Sequence, residues 1–188
     1  MSQAFRHHIE EIITLTDAQF DHVLSFFKIK KLKKHQYIVQ AGDLVTLDYF
    51  VLSGLVKSSF INEQGKVHIL QFAMENWWVS DYKALNSQTP SAFYIDCIED
   101  TELLTITIQN KNKLCAESHK MEHFFRIKAT GGYVALQHRI LSLLSNDAET
   151  RYKRLFAQYP SLFQRIPKAM IASYLGVSRE TLSRLSPV

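Results

Sequence analysis

PKAMIASYLGVSRETLSR, residues 167 to 184, carries two short apolar patterns separated by a glycine. Ala169, Ile171, Ala172 and Leu175 recur at helical spacing, Pro167 suits a first helical turn, and Gly176 stands where that helix must stop in a positive-φ residue. Ser178 then offers an N-cap hydroxyl to a second helix, whose Leu182 and Leu185 face back toward Ile171 and Leu175. The spacing predicts a helix-turn-helix. Its second helix turns Arg179, Glu180, Ser183 and Arg184 outward, a set that can reach base edges in a major groove, where Arg pairs with guanine and Glu accepts from cytosine N4. An ordinary αα-hairpin with a solvated charged face has the same spacing, so the motif needs its context.

Just upstream, Asn146 and Glu149 are spaced as a capping box for a helix through Arg151, Tyr152, Leu155 and Phe156, which Pro160 ends; Ser161 to Ile166 lead into the motif. Before it, His119 to Ser145 reads as one helix of roughly 40 Å. Phe125, Ala129, Gly132, Leu136, Ile140 and Leu143 form one stripe. Phe124, Ile127, Gly131, Val134, His138 and Leu141 form another, with the alternating steps of a coiled coil. One stripe is expected to cover the upstream domain. The other, through Phe124, Ile127, Gly131, Val134 and Leu141, is expected to make a parallel homodimer, whose two-fold symmetry suits a palindromic site. Gly131 and Gly132 each cost about 1 kcal/mol relative to alanine, which points to a kink or a close backbone approach. His119 and His123 lie one turn apart without a third ligand, so they read as an exposed face and no metal is expected.

From residue 37 to 108 the texture is short β-like runs: Tyr37 to Gln40, Tyr49 to Ser53, Gly54 to Ile61, Lys66 to Phe72, Phe93 to Cys97 and Glu102 to Ile108, with turn residues between. That rhythm predicts a double-stranded β-helix, or jelly roll, able to hold a small ligand. Phe72 to Pro90 interrupts it with Trp77, Trp78 and Tyr82 and a short helix from Ser80 or Asp81 to Leu85; the aromatics are candidates for an effector pocket, or they plug one end of the roll. KIKKLKKHQ, from Lys28, reads as a charged strand edge rather than a nucleic-acid patch. Thr16 caps a helix with Phe20, Val23, Leu24 and Phe27 on one side.

The formal charge of +4 is unevenly spread, with 11 Lys and Arg against 4 Asp and Glu in residues 119 to 188, and 11 against 14 before them. A basic C-terminal end on an acidic body is the footprint of a phosphate-binding module, with Lys168, Arg165 and Lys153 as candidate phosphate contacts. Cys97 and Cys115 give no CxxC and no zinc-type quartet, so no cofactor is expected. No apolar run reaches membrane-span length and the first residues lack a signal-peptide pattern, so a cytoplasmic protein without a membrane partner is expected.

The order of parts, and above all IASYLGVSRETLSR from Ile171 to Arg184, resembles the Crp/Fnr family of bacterial transcription regulators; GDLVTLDYFVLSGLVK, Gly42 to Lys57, resembles that family's paired-strand core. The resemblance implies an α+β chain: a cyclic-nucleotide-binding-like sensor roll over 1–118, a dimerisation helix over 119–145, and a winged-helix-like helix-turn-helix domain over 146–188. It implies double-stranded DNA as partner, Arg179, Glu180 and Arg184 as base readers, Ser178 and Thr181 near phosphates, and an RNA polymerase contact if the chain activates. Two departures stand out. Where members that bind cyclic AMP carry a phosphate-binding turn and an Arg-Ser or Arg-Thr pair, this chain has ENWWVSDY, Glu75 to Tyr82, and Pro90-Ser91-Ala92, with no arginine between Arg6 and Arg126. Any small-molecule effector is therefore expected not to be cyclic AMP. The second helix is also followed at once by Ser186-Pro187-Val188, and Tyr159 to Ile166 is short for a strand-bearing wing, which is expected to reduce phosphate contacts. The alternative is a ligand-binding sensor whose helix-turn-helix is degenerate or serves protein interaction. An enzyme is disfavoured, because the roll offers only His35 and His68 as strand ligands and no nucleophile motif occurs.

Overall fold

The computed structural model describes residues 2 to 185, so Ser186-Pro187-Val188 lie outside the described residues. Helices α1 (Ser2–Glu10) and α2 (Asp17–Ser25) lead the chain. Thr16 and Gln19 close a full capping box on α2: the Gln19 amide donates to Thr16 Oγ1 at 3.2 Å, and the Thr16 amide donates to Gln19 Oε1 at 3.0 Å. Phe5, Ile9, Phe20 and Val23 from these helices are buried in one cluster with Phe50, Leu104 and Ile106.

Eight strands follow: β1 (Lys28–Leu32), β2 (Tyr37–Val39), β3 (Leu47–Ser53), β4 (Val56–Ile61), β5 (Val67–Ala73), β6 (Trp78–Val79), β7 (Tyr94–Cys97) and β8 (Thr101–Thr107). They form two four-stranded sheets, ordered β1-β8-β3-β6 and β2-β7-β4-β5. Val51 and Leu103 of one sheet share a buried cluster with Val39, Val56 and Ile95 of the other, which is the interior of a jelly roll. The lysine run is an edge strand, as its alternation implied. Lys31 pairs with Glu102, and Lys33 with Asp100 at 2.7 Å, so its charges are solvated or matched at the sheet's end. Between β3 and β4, Gly54 has φ +95°, and a Cβ there would sit 2.5 Å from the Asp100 carbonyl oxygen; only glycine fits this turn.

Helix α3 (Tyr82–Ser87) starts at Asp81, which caps the Ala84 amide at 3.0 Å. Helix α4 (Ile108–Glu117), capped by Thr107, was not anticipated; its one buried residue, Leu114, gives no apolar periodicity. Helix α5 (His119–Ser145) spans the expected 27 residues. Two expectations about it are corrected. Phe124 is fully buried in the first core cluster with Met121 and Phe125, so it is not an interface residue, and beyond Phe125 neither stripe is covered: Ile127, Val134, Leu136, Ile140 and Leu141 are all exposed. No neighbouring atom lies within 4 Å of a Cβ built at Gly131 or Gly132, so the pair does not mark a close backbone approach within this chain.

Helices α6 (Ala148–Gln158), α7 (Pro160–Arg165), α8 (Lys168–Leu175) and α9 (Arg179–Leu185) complete the described chain. The α6 cap is Asp147, accepting from the Thr150 amide at 2.8 Å, and not the Asn146–Glu149 box. Pro160 opens α7 as well as ending α6, and no strand follows Thr107 among the described residues. Two compact units emerge. One holds the residues up to Phe60 with Gln71–Lys128; the other holds Ile61–Leu70 with the residues from Ala129 onward. The division falls inside α5, between Lys128 and Ala129, and the side chains that this helix buries, Met121, Phe124 and Phe125, all lie before it.

Candidate nucleic-acid interface

The second unit contains the helix-turn-helix. Helix α8 enters from Pro167 and ends at Gly176, whose φ of 70° lets its amide reach back to the Ala172 and Ser173 carbonyls. Val177 then turns the chain, and the Ser178 hydroxyl accepts from the Thr181 amide at 3.1 Å, opening α9. Leu182 is 1% exposed, while Ile171, Ala172 and Leu175 are buried on α8, so α9 is clamped by its inner side. That leaves Ser178, Arg179, Glu180, Ser183 and Arg184 exposed, with Thr181 half-buried beside the cap. The Glu180 backbone amide, the Ser178 side chain and the flanking Arg179 and Arg184 hold the Glu180 carboxyl below the usual range, so the outer face carries one acceptor between two permanent donors. Lys168 is exposed at the start of α8. Lys153 is held by Glu149 at 2.7 Å, which makes it a weaker phosphate candidate than Lys168.

The supposed effector pocket is not assembled. Trp77 and Trp78 are adjacent residues and take opposite sides: Trp78 packs on the first core cluster, 5.2 Å from the Phe50 ring, while Trp77 packs on the second. They do not converge on one cavity. Tyr82 instead donates to Asp48 Oδ1 at 3.2 Å, and Lys111 Nζ meets Asp48 Oδ2 at 2.7 Å while lying 4.5 Å from the Phe125 ring centroid. Burial pushes the Asp48 carboxyl up, and the Lys111 ammonium pulls it back. Two shallow grooves of about 290 and 330 Å³ lie elsewhere on the same unit, and neither is lined by Trp77, Trp78 or Tyr82.

The turn ENWWVSDY also holds its own anion. Asp81, 3% exposed, accepts from the Ala84 amide with Oδ1, and from the Ser91 hydroxyl at 2.9 Å and the Ala92 amide at 3.3 Å with Oδ2. The Ala84 amide at the start of α3 and the donors of the later Ser91-Ala92 segment are thus taken by a carboxyl group of the chain. Asp48 and Lys111 carry no signal in the sequence, and Asp81 stands out there only as a helix start. Only the rarity of buried charge could have flagged them, and burial is not visible in a local pattern.

Residues 29–118 match the cyclic nucleotide-binding domain family. Over 92% of the chain, an anaerobic regulatory protein of Aggregatibacter actinomycetemcomitans is 27% identical, the match covering 71% of that protein. The fumarate and nitrate reduction regulatory protein of Escherichia coli K12 is 28% identical over 92% of this chain and 73% of its own. In fold, FixK2 from Bradyrhizobium japonicum superposes with a TM-score of 0.74 at 17% identity, covering 85% of this chain and 82% of that one. The catabolite activator protein of Thermus thermophilus gives 0.56 at 23% identity, over 91% and 82%.

Proposed function

We propose that the chain works as a transcription regulator of the Crp/Fnr type and that α9 reads its operator directly, with Arg179 and Arg184 addressing guanines and Glu180 a cytosine in the major groove. The protein is a DNA-binding regulator with a sensory roll, and its relatives are regulators and not enzymes. The single observation that carries the assignment of readers is the exposed outer face of α9, held on α8 by the buried Leu182. The working form is a homodimer built on α5, bound to two half-sites about 34 Å apart, or one helical turn. Where it activates, RNA polymerase is its partner. It works in the cytoplasm, where that DNA lies; among the described residues no helix is long and apolar enough to cross a membrane.

The sensory roll answers to something other than a cyclic nucleotide. Asp81 already holds the Ser91 and Ala92 donors, and no arginine of the roll segment is available to grip a phosphodiester. Calorimetric titration with cyclic AMP and cyclic GMP is expected to show no specific heat of binding, and a dissociation constant in the micromolar range or tighter would overturn this reading of the turn.

Selection from random duplexes at low salt, with cell extract supplying effectors, tests the DNA assignment. A palindrome with guanines in each half-site is the expected product. Failure to enrich any sequence would favour a sensor whose helix-turn-helix serves protein contacts.

A further inference from the structure

Strand β5 closes one end of its sheet, so the outward edge of its backbone has no strand partner among the described residues. Its first residues, Val67 to Leu70, belong to the second unit, and helices of that same unit supply what the edge lacks. The Ser173 hydroxyl, on α8, donates to the Val67 carbonyl at 2.8 Å and accepts from the Ile69 amide at 3.2 Å. The Arg139 guanidinium, on α5, donates to the Ile69 carbonyl at 3.1 Å and to the Tyr174 carbonyl at 2.9 Å, and its centre lies 3.6 Å from the centroid of the Tyr174 ring. Three successive outward groups of β5 are thus satisfied by one hydroxyl and one guanidinium. Arg139 forms no ion pair among the described residues, and burial opposes its charge; carbonyl dipoles and an aromatic face are its compensation. Setting a cation there without a carboxylate adds little to stability but fixes direction, since a planar fork accepts few geometries.

The latch does not mask the reading surface. Ser173 and Tyr174 sit at the end of α8, whereas Arg179, Glu180, Ser183 and Arg184 on α9 are exposed. What it fixes is the attitude of α8, and through Leu182 of α9, to Arg139 of α5 and to the Val67–Leu70 stretch of the same unit. We infer that the Ser173–Arg139 latch is a positioning device for DNA binding: it holds each helix-turn-helix at one attitude to the Arg139 stretch of α5 and to Val67–Leu70, so that the two copies of a dimer built on α5 are set for one half-site spacing before DNA is met. The inference rests on the DNA-binding reading above and deepens it. Orientation fixed in advance lowers the ordering cost of engaging the second half-site, while binding to a single half-site needs no such register.

The test uses the full chain, unmodified and with Ser173→Ala, Arg139→Ala or Ser173→Thr, the last keeping the hydroxyl. Each is titrated with the selected palindrome, with the same duplex carrying one scrambled half-site, and with palindromes whose half-sites are moved apart or together by single base pairs. Ser173→Ala and Arg139→Ala are expected to weaken the palindrome about 10-fold, to leave the single half-site within about 2-fold, and to flatten the preference for one spacing; Ser173→Thr keeps all three properties. Amide exchange at Ile69 should quicken in Ser173→Ala, which reports the latch itself. Equal loss on both duplexes would mean that these residues merely hold the fold, and tighter binding would mean that they act as a brake; either overturns the inference. So does unchanged binding with a faster Ile69 amide. If the unmodified protein enriches no duplex, the DNA-binding reading fails first, before any substitution is made.

Discussion

His8 has an imidazole ring 4.9 Å from the ring of Phe50 and 5.8 Å from that of Phe124, and its buried Nε2 has no hydrogen-bond partner. Burial pulls its pKa down to about 4, Lys128 and His7 push the same way, and Glu11, whose carboxylate lies 3.7 Å from Nδ1, opposes them. The folded chain therefore keeps His8 neutral where the unfolded chain protonates it, below about pH 6.5. Between those two values the unfolded state binds more protons, so stability falls as the pH drops from about 6.5 to about 4 and this contribution is flat below that, a loss on the order of 3 kcal/mol at full extent. Urea unfolding at pH 7 and pH 4.5 checks it. His8→Phe, which suits the aromatic surroundings, is expected to lose distinctly less stability over that interval than the unmodified protein, and an identical loss would show that other groups carry the acid response. The other residue-level lesson is Trp77 beside Trp78. A run of aromatics reads as one cluster, but Trp77 precedes β6 while Trp78 opens it, and each tryptophan serves a different core.

Helix α9 separates two kinds of basic residue by position. Arg184 lies on its outer face, whereas Lys168 stands at the start of α8. Arg184→Ala is expected to weaken the preferred duplex roughly 10-fold or more and to relax discrimination at one base pair of each half-site. Lys168→Ala should weaken all sequences alike and lower the salt slope by about one for each phosphate that is no longer neutralised. Repeating the duplex selection with each variant distinguishes them, and a change in sequence preference from Lys168→Ala would reverse the assignment. The elements themselves were largely legible. The expected strands lie within about two residues of those observed, because each carries its own alternation or turn residue, and α5 was read to its ends from apolar spacing. Where that signal is weak, reading failed: α4 buries only Leu114, and β6 is two residues long. The latch was illegible for another reason. Ser173 and Val67 are 106 residues apart, and neither a serine nor a valine announces a partner at that distance.

A single copy of this chain leaves Ile127, Val134, Leu136, Ile140, Leu141 and Leu144 exposed along α5, an apolar surface wider than one coiled-coil stripe. Sedimentation at micromolar concentration is expected to give a dimer, and Val134→Glu with Leu141→Glu a monomer that loses the palindrome while keeping weak, salt-sensitive affinity for any duplex. A dimer that survives both carboxylates would move the interface off this helix. Gly131 and Gly132 lie shortly after the point where the two compact units divide, Lys128 to Ala129, and nothing fills the space beside either. Together they lower the helical preference of one turn by about 2 kcal/mol relative to alanine. Opening a helix locally costs least where propensity is lowest. In a hydrogen-exchange time course the amides around Gly131 and Gly132 should therefore exchange before those of the turns on either side, and replacing both glycines by alanine should bring them level. The long helix has a built-in fuse, placed where a single turn can melt while the turns on either side stay wound.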